Sequence, residues 1–159
     1  MEPMTTDVAP LNPKTHSLPM ALLAGCVAAA AGAAAWAIVT MISGLKIGWV
    51  AVGIGFLVGY AVRKFGNGSE PMFQVLGAVL SLLGCLGGNL LMVCLIASRQ
   101  ENIPLLTVLT HLQPSVVVDL MVETFRPMDL VFYAIAVYEG YRFSRAPAPP
   151  IAKVPGLSA

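Results

Sequence analysis

The chain has 159 residues, of which 57% are hydrophobic and only 11% charged, with a formal net charge of +1. An average soluble domain carries about 25% charged residues, so little charge is left here to solvate an outer surface. The near-neutral balance also lacks the clustered Lys and Arg that phosphate-backbone binding requires, which excludes nucleic acid as an expected partner.

Residues 1–16 hold three prolines and few large apolar groups, and they cannot bury enough surface to order themselves. They read as a disordered arm. Ser17 can cap the free amides of a following helix and Pro19 tolerates its first turn, so a helix is expected over 18–42. That run contains no charge and exceeds the roughly 20 residues needed to cross a bilayer core. Gly25 and Gly32, seven apart on one face of an Ala-rich segment, favour close contact with another helix. Leu23-Ala24-Gly25-Cys26 matches the small-residue box before a lipidated cysteine. The apolar stretch preceding it is too short for a signal peptide, however, and the apolar run continues far past Cys26, so an uncleaved span is the better reading.

A short connection at 43–46 leads to a second apolar run at 47–62, closed by Arg63 and Lys64. A helix of that length rises only about 24 Å. Lys46 and Arg63 can extend their stems to the headgroups, and Trp49 suits an interface, so a short span is expected. Gly55 and Gly59 form a GxxxG pair that lets another backbone approach. The segment 65–71, with Asn67 between two glycines and with Ser69 and Pro71, predicts a turn and the opening of a third helix.

The third span is expected over 72–97 and is again free of charge. Gly77, Ser81, Gly84 and Gly88 recur at spacings of four, three and four, which draws one smooth stripe along a helix. Asn89 lies in the same helix, and an amide in hydrocarbon is costly unless another helix supplies a hydrogen bond. Cys26, Cys85 and Cys94 sit inside apolar runs with no CxxC spacing, and read as small buried hydrophobes.

Between Arg99 and Arg126 the composition turns mixed, with Pro104 and Pro114 dividing it, and an amphipathic segment is expected over 104–125. Val117, Leu120, Met121 and Phe125 would form its apolar face, with Asp119 and Glu123 opposite. That carboxylate pair, with His111 nearby, is the nearest approach to a metal or acid/base motif, but such spacing is common on solvated helix faces. No catalytic, metal or cofactor site is expected, and therefore no cofactor.

Pro127 and Asp129 suit a helix start, and a fourth span is expected over 128–143. Glu139 is its one acid near the hydrocarbon edge, with Arg142 on the same helix and Arg63 across the bundle as ion-pair partners. With four crossings, Lys14, Arg63, Lys64, Arg142, Arg145 and Lys153 fall on one side and Lys46, Arg99 and Arg126 on the other, which favours cytoplasmic termini. Residues 146–159, rich in proline, read as a disordered tail.

The expected fold is therefore all-α: a 17–145 domain of four transmembrane helices, with a short amphipathic helix between the third and fourth. The strings GWVAVGIGFLVGYAVRKFGNG (48–68), LGAVLSLLGCLGGNLL (76–91) and FRPMDLVFYAIAVYEGYRFS (125–144) resemble blocks of small, uncharacterised bacterial inner-membrane proteins with glycine-rich spans. That resemblance implies a compact polytopic protein of the bacterial inner membrane and carries no activity. The expected role is a structural or accessory subunit, without catalysis of its own, that packs against the bilayer and against other membrane subunits or itself. A homo-oligomeric channel or transporter lined by Asn89 and Glu139 is the alternative, and an intramembrane enzyme stands third because reactive groups are few.

Overall fold

The computed structural model describes residues 17–44 and 48–146. The N-terminal arm, Lys46 and the proline-rich tail lie outside the described residues. Among these residues there are six helices and no strand: α1 (Leu18–Ser43), α2 (Trp49–Gly66), α3 (Pro71–Gln100), α4 (Leu105–Thr110), α5 (Pro114–Thr124) and α6 (Pro127–Phe143). Three of them, α1, α2 and α3, are long and apolar enough to cross a membrane.

Local chemistry sets the boundaries. Ser17 accepts a hydrogen bond from the Met20 N–H at 3.4 Å, capping α1 as its sequence implies. At the other end Gly44 takes the left-handed conformation, φ 66°, and its N–H returns to the Thr40 carbonyl. The second helix runs four residues further than the apolar pattern suggests, to Gly66. Arg63 and Lys64 in its last turn complement the negative end of the helix dipole, and Asn67, at φ 53°, stops it. Phe65 and Gly66 are thus helical and not part of the turn. The third helix opens at Pro71 after Glu70, not on a Ser69 cap, and the Ser69 hydroxyl donates instead to the Ala146 carbonyl at 3.4 Å.

The segment expected to form one amphipathic helix over 104–125 is two helices. Pro104 precedes α4 and Pro114 occupies the first turn of α5, so residues 111–113 break the run. Neither helix has a fully buried residue, and both rest on α3. Val117, Leu120 and Met121 are half-buried there while Asp119 and Glu123 are exposed.

The four long helices run up, down, up and down. Val62 and Ile54 of α2 lie against Gly25 and Gly32 of α1, so these two are antiparallel. Ala29 and Trp36 of α1 meet Gly84 and Gly88 of α3 in the same order, so α1 and α3 are parallel. Ala136 and Phe143 of α6 meet Gly55 and Gly59 of α2, also in order. The α2 and α3 helices form the middle of the bundle, with α1 on one side of them and α6 on the other.

The bundle has two distinct ends. At the first, which we name the turn end, the Ser17 N–H donates to Gly66 O at 3.2 Å and the Ala146 N–H to Gly68 O at 3.1 Å. At the second, the elbow end, α4 and α5 cover the last turns of α3. The core is small-residue rich, built on Ala21, Ala28, Ala29, Ala51 and Ala136 with Trp36, Ile54, Val58, Val62, Phe73 and Leu80 between them. The outer faces carry the large side chains, among them Leu23, Val27 and Ile42 on α1, Phe56 and Leu57 on α2, Val75 and Leu83 on α3, and Leu130 and Val131 on α6. This inversion of the soluble pattern suits a lipid surround.

Candidate functional site

The residues singled out by spacing fall into two groups. Gly25, Gly32, Gly55, Gly59, Gly77, Ser81, Gly84 and Gly88 all face other helices of the same chain. A methyl group on Gly55 would collide with the Ala136 backbone, and one on Gly77 with the Gly140 carbonyl and the Ser144 hydroxyl. The single stripe on α3 serves three neighbours: Gly77 and Ser81 receive α6, Gly84 receives Ile54 of α2 and Ala29 of α1, and Gly88 receives α1. Gly53, by contrast, has open space where a side chain would stand.

The second group is polar and lies toward the elbow end. Asn89 is 1% exposed and its amide Nδ2 donates to Thr124 Oγ1 at 3.2 Å, while the Thr124 hydroxyl donates to Leu120 O at 2.6 Å. The expected interhelical bond therefore exists, and its partner is α5. Asn89 Oδ1 is buried without a hydrogen-bond partner, and so are Trp36 Nε1, Thr40 Oγ1 and Tyr133 Oη. The Trp36 and Tyr133 rings meet edge to face at 6.3 Å, and Phe125 meets Tyr133 likewise at 6.3 Å. Four helices, α1, α3, α5 and α6, thus contribute to one aromatic and polar cluster, buried at Trp36, Asn89 and Tyr133 and open on the Phe125 side.

An unpaired buried donor or acceptor costs about 1–3 kcal/mol, so this end is less internally satisfied than the turn end. There, Ser81 Oγ donates to Gly77 O at 2.7 Å and Ser144 Oγ to Gly140 O at 2.5 Å. The unpaired atoms are an indole N–H, two hydroxyls and an amide oxygen. None of these ionises near neutral pH, so the cluster can hydrogen-bond a neutral polar group and offers no charge to it. Asp129, 5% exposed, caps α6 by accepting the Arg126 N–H at 3.0 Å.

Glu139 is half-buried on α6, near the turn end. The structure does not bring it to either expected partner. Arg142 donates to the Tyr138 hydroxyl at 3.3 Å, and among the described residues no ion pair joins Glu139 to Arg142 or Arg63. The spacing put Glu139 and Arg142 three apart, but Tyr138 lies a full turn from Arg142 and captures the guanidinium. Glu139 and Asn89 are also apart from each other, separated by the Gly77, Gly140 and Ser81 contact, where the α3 and α6 backbones touch.

His111 lies exposed on the α4 side of the break, with Nδ1 2.9 Å from Thr107 O. Among the described residues no group of His, Cys, Asp or Glu is arranged to hold a metal. Cys85 and Cys94 are buried, but Cys26 is exposed on the outer side of α1, which corrects the expectation that all three thiols are inside. Its neighbour Gly25 occupies the packed face, so Cys26, one residue on, is turned outward.

Sequence reasoning found Asn89 and missed Trp36, Thr40 and Tyr133. A Trp within an alanine run, four residues before a Thr, was the available signal on α1. Compared with protein-family models, with curated proteins and with solved structures, the chain matches none.

Proposed function

We propose that this chain is a four-span integral protein of the bacterial inner membrane that serves as a structural or accessory subunit, with α6 as its fourth crossing and both ends of the bundle chain cytoplasmic. Support for the fourth crossing comes from α6 lying beside α2 over the same depth. Phe132 packs on Gly48 at one end, and Ala146 bonds Gly68 at the other. Seventeen residues rise about 25 Å, close to the hydrocarbon thickness. Arg63, Lys64, Arg142 and Arg145 then gather at the turn end, against Arg99 and Arg126 at the elbow end, which fits the positive-inside pattern.

The observation that carries the accessory reading is how the surface is spent. The smooth glycine faces are consumed within the chain, so a partner subunit meets the large outward side chains and the α4–α5 elbow, where Leu106 is 73% and Val122 72% exposed. The contact surface is therefore different from the one that the glycine spacing suggested.

Extraction of the tagged protein in mild detergent, followed by intact mass and composition, tests this reading. Stoichiometric foreign subunits support it; a pure homo-oligomer overturns it and favours the channel. For that alternative the supporting observation is the buried, unpartnered Asn89 Oδ1. Glu139→Gln that abolishes ion flux in liposomes while assembly stays intact would establish it. Reporter fusions at 67, 113 and 159 test the topology: 67 and 159 report cytoplasm and 113 the opposite side, whereas an interfacial α6 puts 159 with 113.

A further inference from the structure

We propose that the hollow between the ends of α2 and α6 seats the phosphate headgroup of an anionic phospholipid. The site rests on the membrane reading above and adds a ligand to it. Tyr60, Arg63, Lys64, Asn67 and Ala146 line a hollow of about 380 Å³ at the turn end, open on one side.

Two cations meet there. Lys64 is exposed with its Nζ 5.8 Å from the centre of the Tyr60 ring, and Arg63 is half-buried beside it. Neither forms an ion pair among the described residues, so both charges are available to a phosphate, which Arg binds through two parallel N–H groups and Lys as a point charge. Tyr60 adds a hydroxyl at the same rim.

An apolar floor continues from the hollow along the outer face. Tyr60 stacks on Phe56 at 6.3 Å, and Phe56 meets Phe143 edge to face at 5.0 Å, bridging α2 and α6. Phe56 and Tyr60 are about half exposed, 49% and 48%. Acyl chains would lie along these rings while the phosphate stays at the two cations. Free phosphate would use only the upper part. A zwitterionic lipid brings its own ammonium toward Arg63 and Lys64, so the hollow selects a net negative headgroup.

The test is native mass spectrometry of the full chain in detergent, titrated separately with phosphatidylglycerol, phosphatidylcholine and inorganic phosphate. Phosphatidylglycerol should bind about tenfold tighter than phosphatidylcholine. Arg63→Gln with Lys64→Gln should erase that preference, and Lys64→Gln alone, at an exposed position, should reduce it without disturbing the fold. Phe56→Ala should weaken both lipids. Arg99→Gln, at the other end, should change nothing.

Equal binding of the two lipids, or a preference that survives the double substitution, overturns the site while leaving the membrane reading intact. Failure of both lipids to bind counts against the membrane reading itself. Phosphate binding as tight as phosphatidylglycerol, and indifferent to Phe56→Ala, assigns the hollow to free phosphate and overturns the lipid proposal.

Discussion

The turn end and the elbow end of the bundle are held together by different means. Toward the turn end, backbone meets backbone: Gly59 lies on the Glu139 and Gly140 carbonyls, Gly77 on Gly140, and the serine hydroxyls close onto carbonyls of their own helices. At the elbow end, the buried Trp36 and Tyr133 rings meet edge to face, Phe125 covers Tyr133 from the exposed side, and polar atoms remain buried without partners. Close backbone approach gives many weak dispersion contacts and tolerates no added atom, whereas ring packing leaves room for exchange at a modest penalty. The first end specifies the fold, and the second is where the chain has polar capacity to spare.

The largest effect is expected at Gly55. Valine there meets the Ala136 backbone, which cannot yield, and should lower unfolding stability in detergent by about 3 kcal/mol. The same change at Gly53, which faces open space, should stay within about 0.5 kcal/mol. Similar losses at both positions would mean that steric contact is not what matters where α2 meets α6.

Next in size is Thr124→Ala, which removes the acceptor of the Asn89 amide and should cost about 1 kcal/mol in the same assay. Smaller again is Tyr133→Phe. It keeps the ring contacts with Trp36 and Phe125 and deletes a hydroxyl that has no partner, so stability should hold or rise slightly. A clear loss would show that the hydroxyl is satisfied by a group bound in the cluster. The smallest structural effect belongs to Cys26→Ser, on the outer face. Cys26 faces the apolar surround, where little thiolate forms, so all three thiols should resist maleimide in detergent until unfolding, and Cys26→Ser should leave stability within about 0.5 kcal/mol.

The sequence made the long helices legible because uninterrupted apolar runs leave little else for a chain to do, and α1, α3 and α6 begin where Ser17, Pro71 and Pro127 suggest. It understated α2, since Arg63 and Lys64 read as the end of an apolar run although both suit a last helical turn. Pro114 marks the break between α4 and α5, but the mixed composition on both sides of it does not separate the two helices. Helical spacing identified the face on which Gly77, Ser81, Gly84 and Gly88 lie. It could not name the neighbour, because a stripe on a helix holds no information about which helix fills it, and this one is shared by three.

The polar cluster was mostly invisible for the same reason. Asn89 declares itself by being an amide in an apolar run, but Trp36 and Tyr133 are unremarkable in their own helices and become a site only when four helices converge. The expected pair of Glu139 and Arg142 failed in the opposite way: spacing permitted it, and a nearer acceptor, Tyr138, took the guanidinium.

One feature of the turn end reaches beyond stability. Residues 17 and 146 are both fastened to the same three-residue stretch, 66–68. The two ends of the helical bundle are therefore neighbours, and a short linker could join them while the chain is reopened at 101–103, between α3 and α4. Such a circular permutant would keep every seam described above while reversing the order in which its halves leave the ribosome. Comparing its yield with that of the natural order would separate what the finished bundle needs from what its insertion into the bilayer needs.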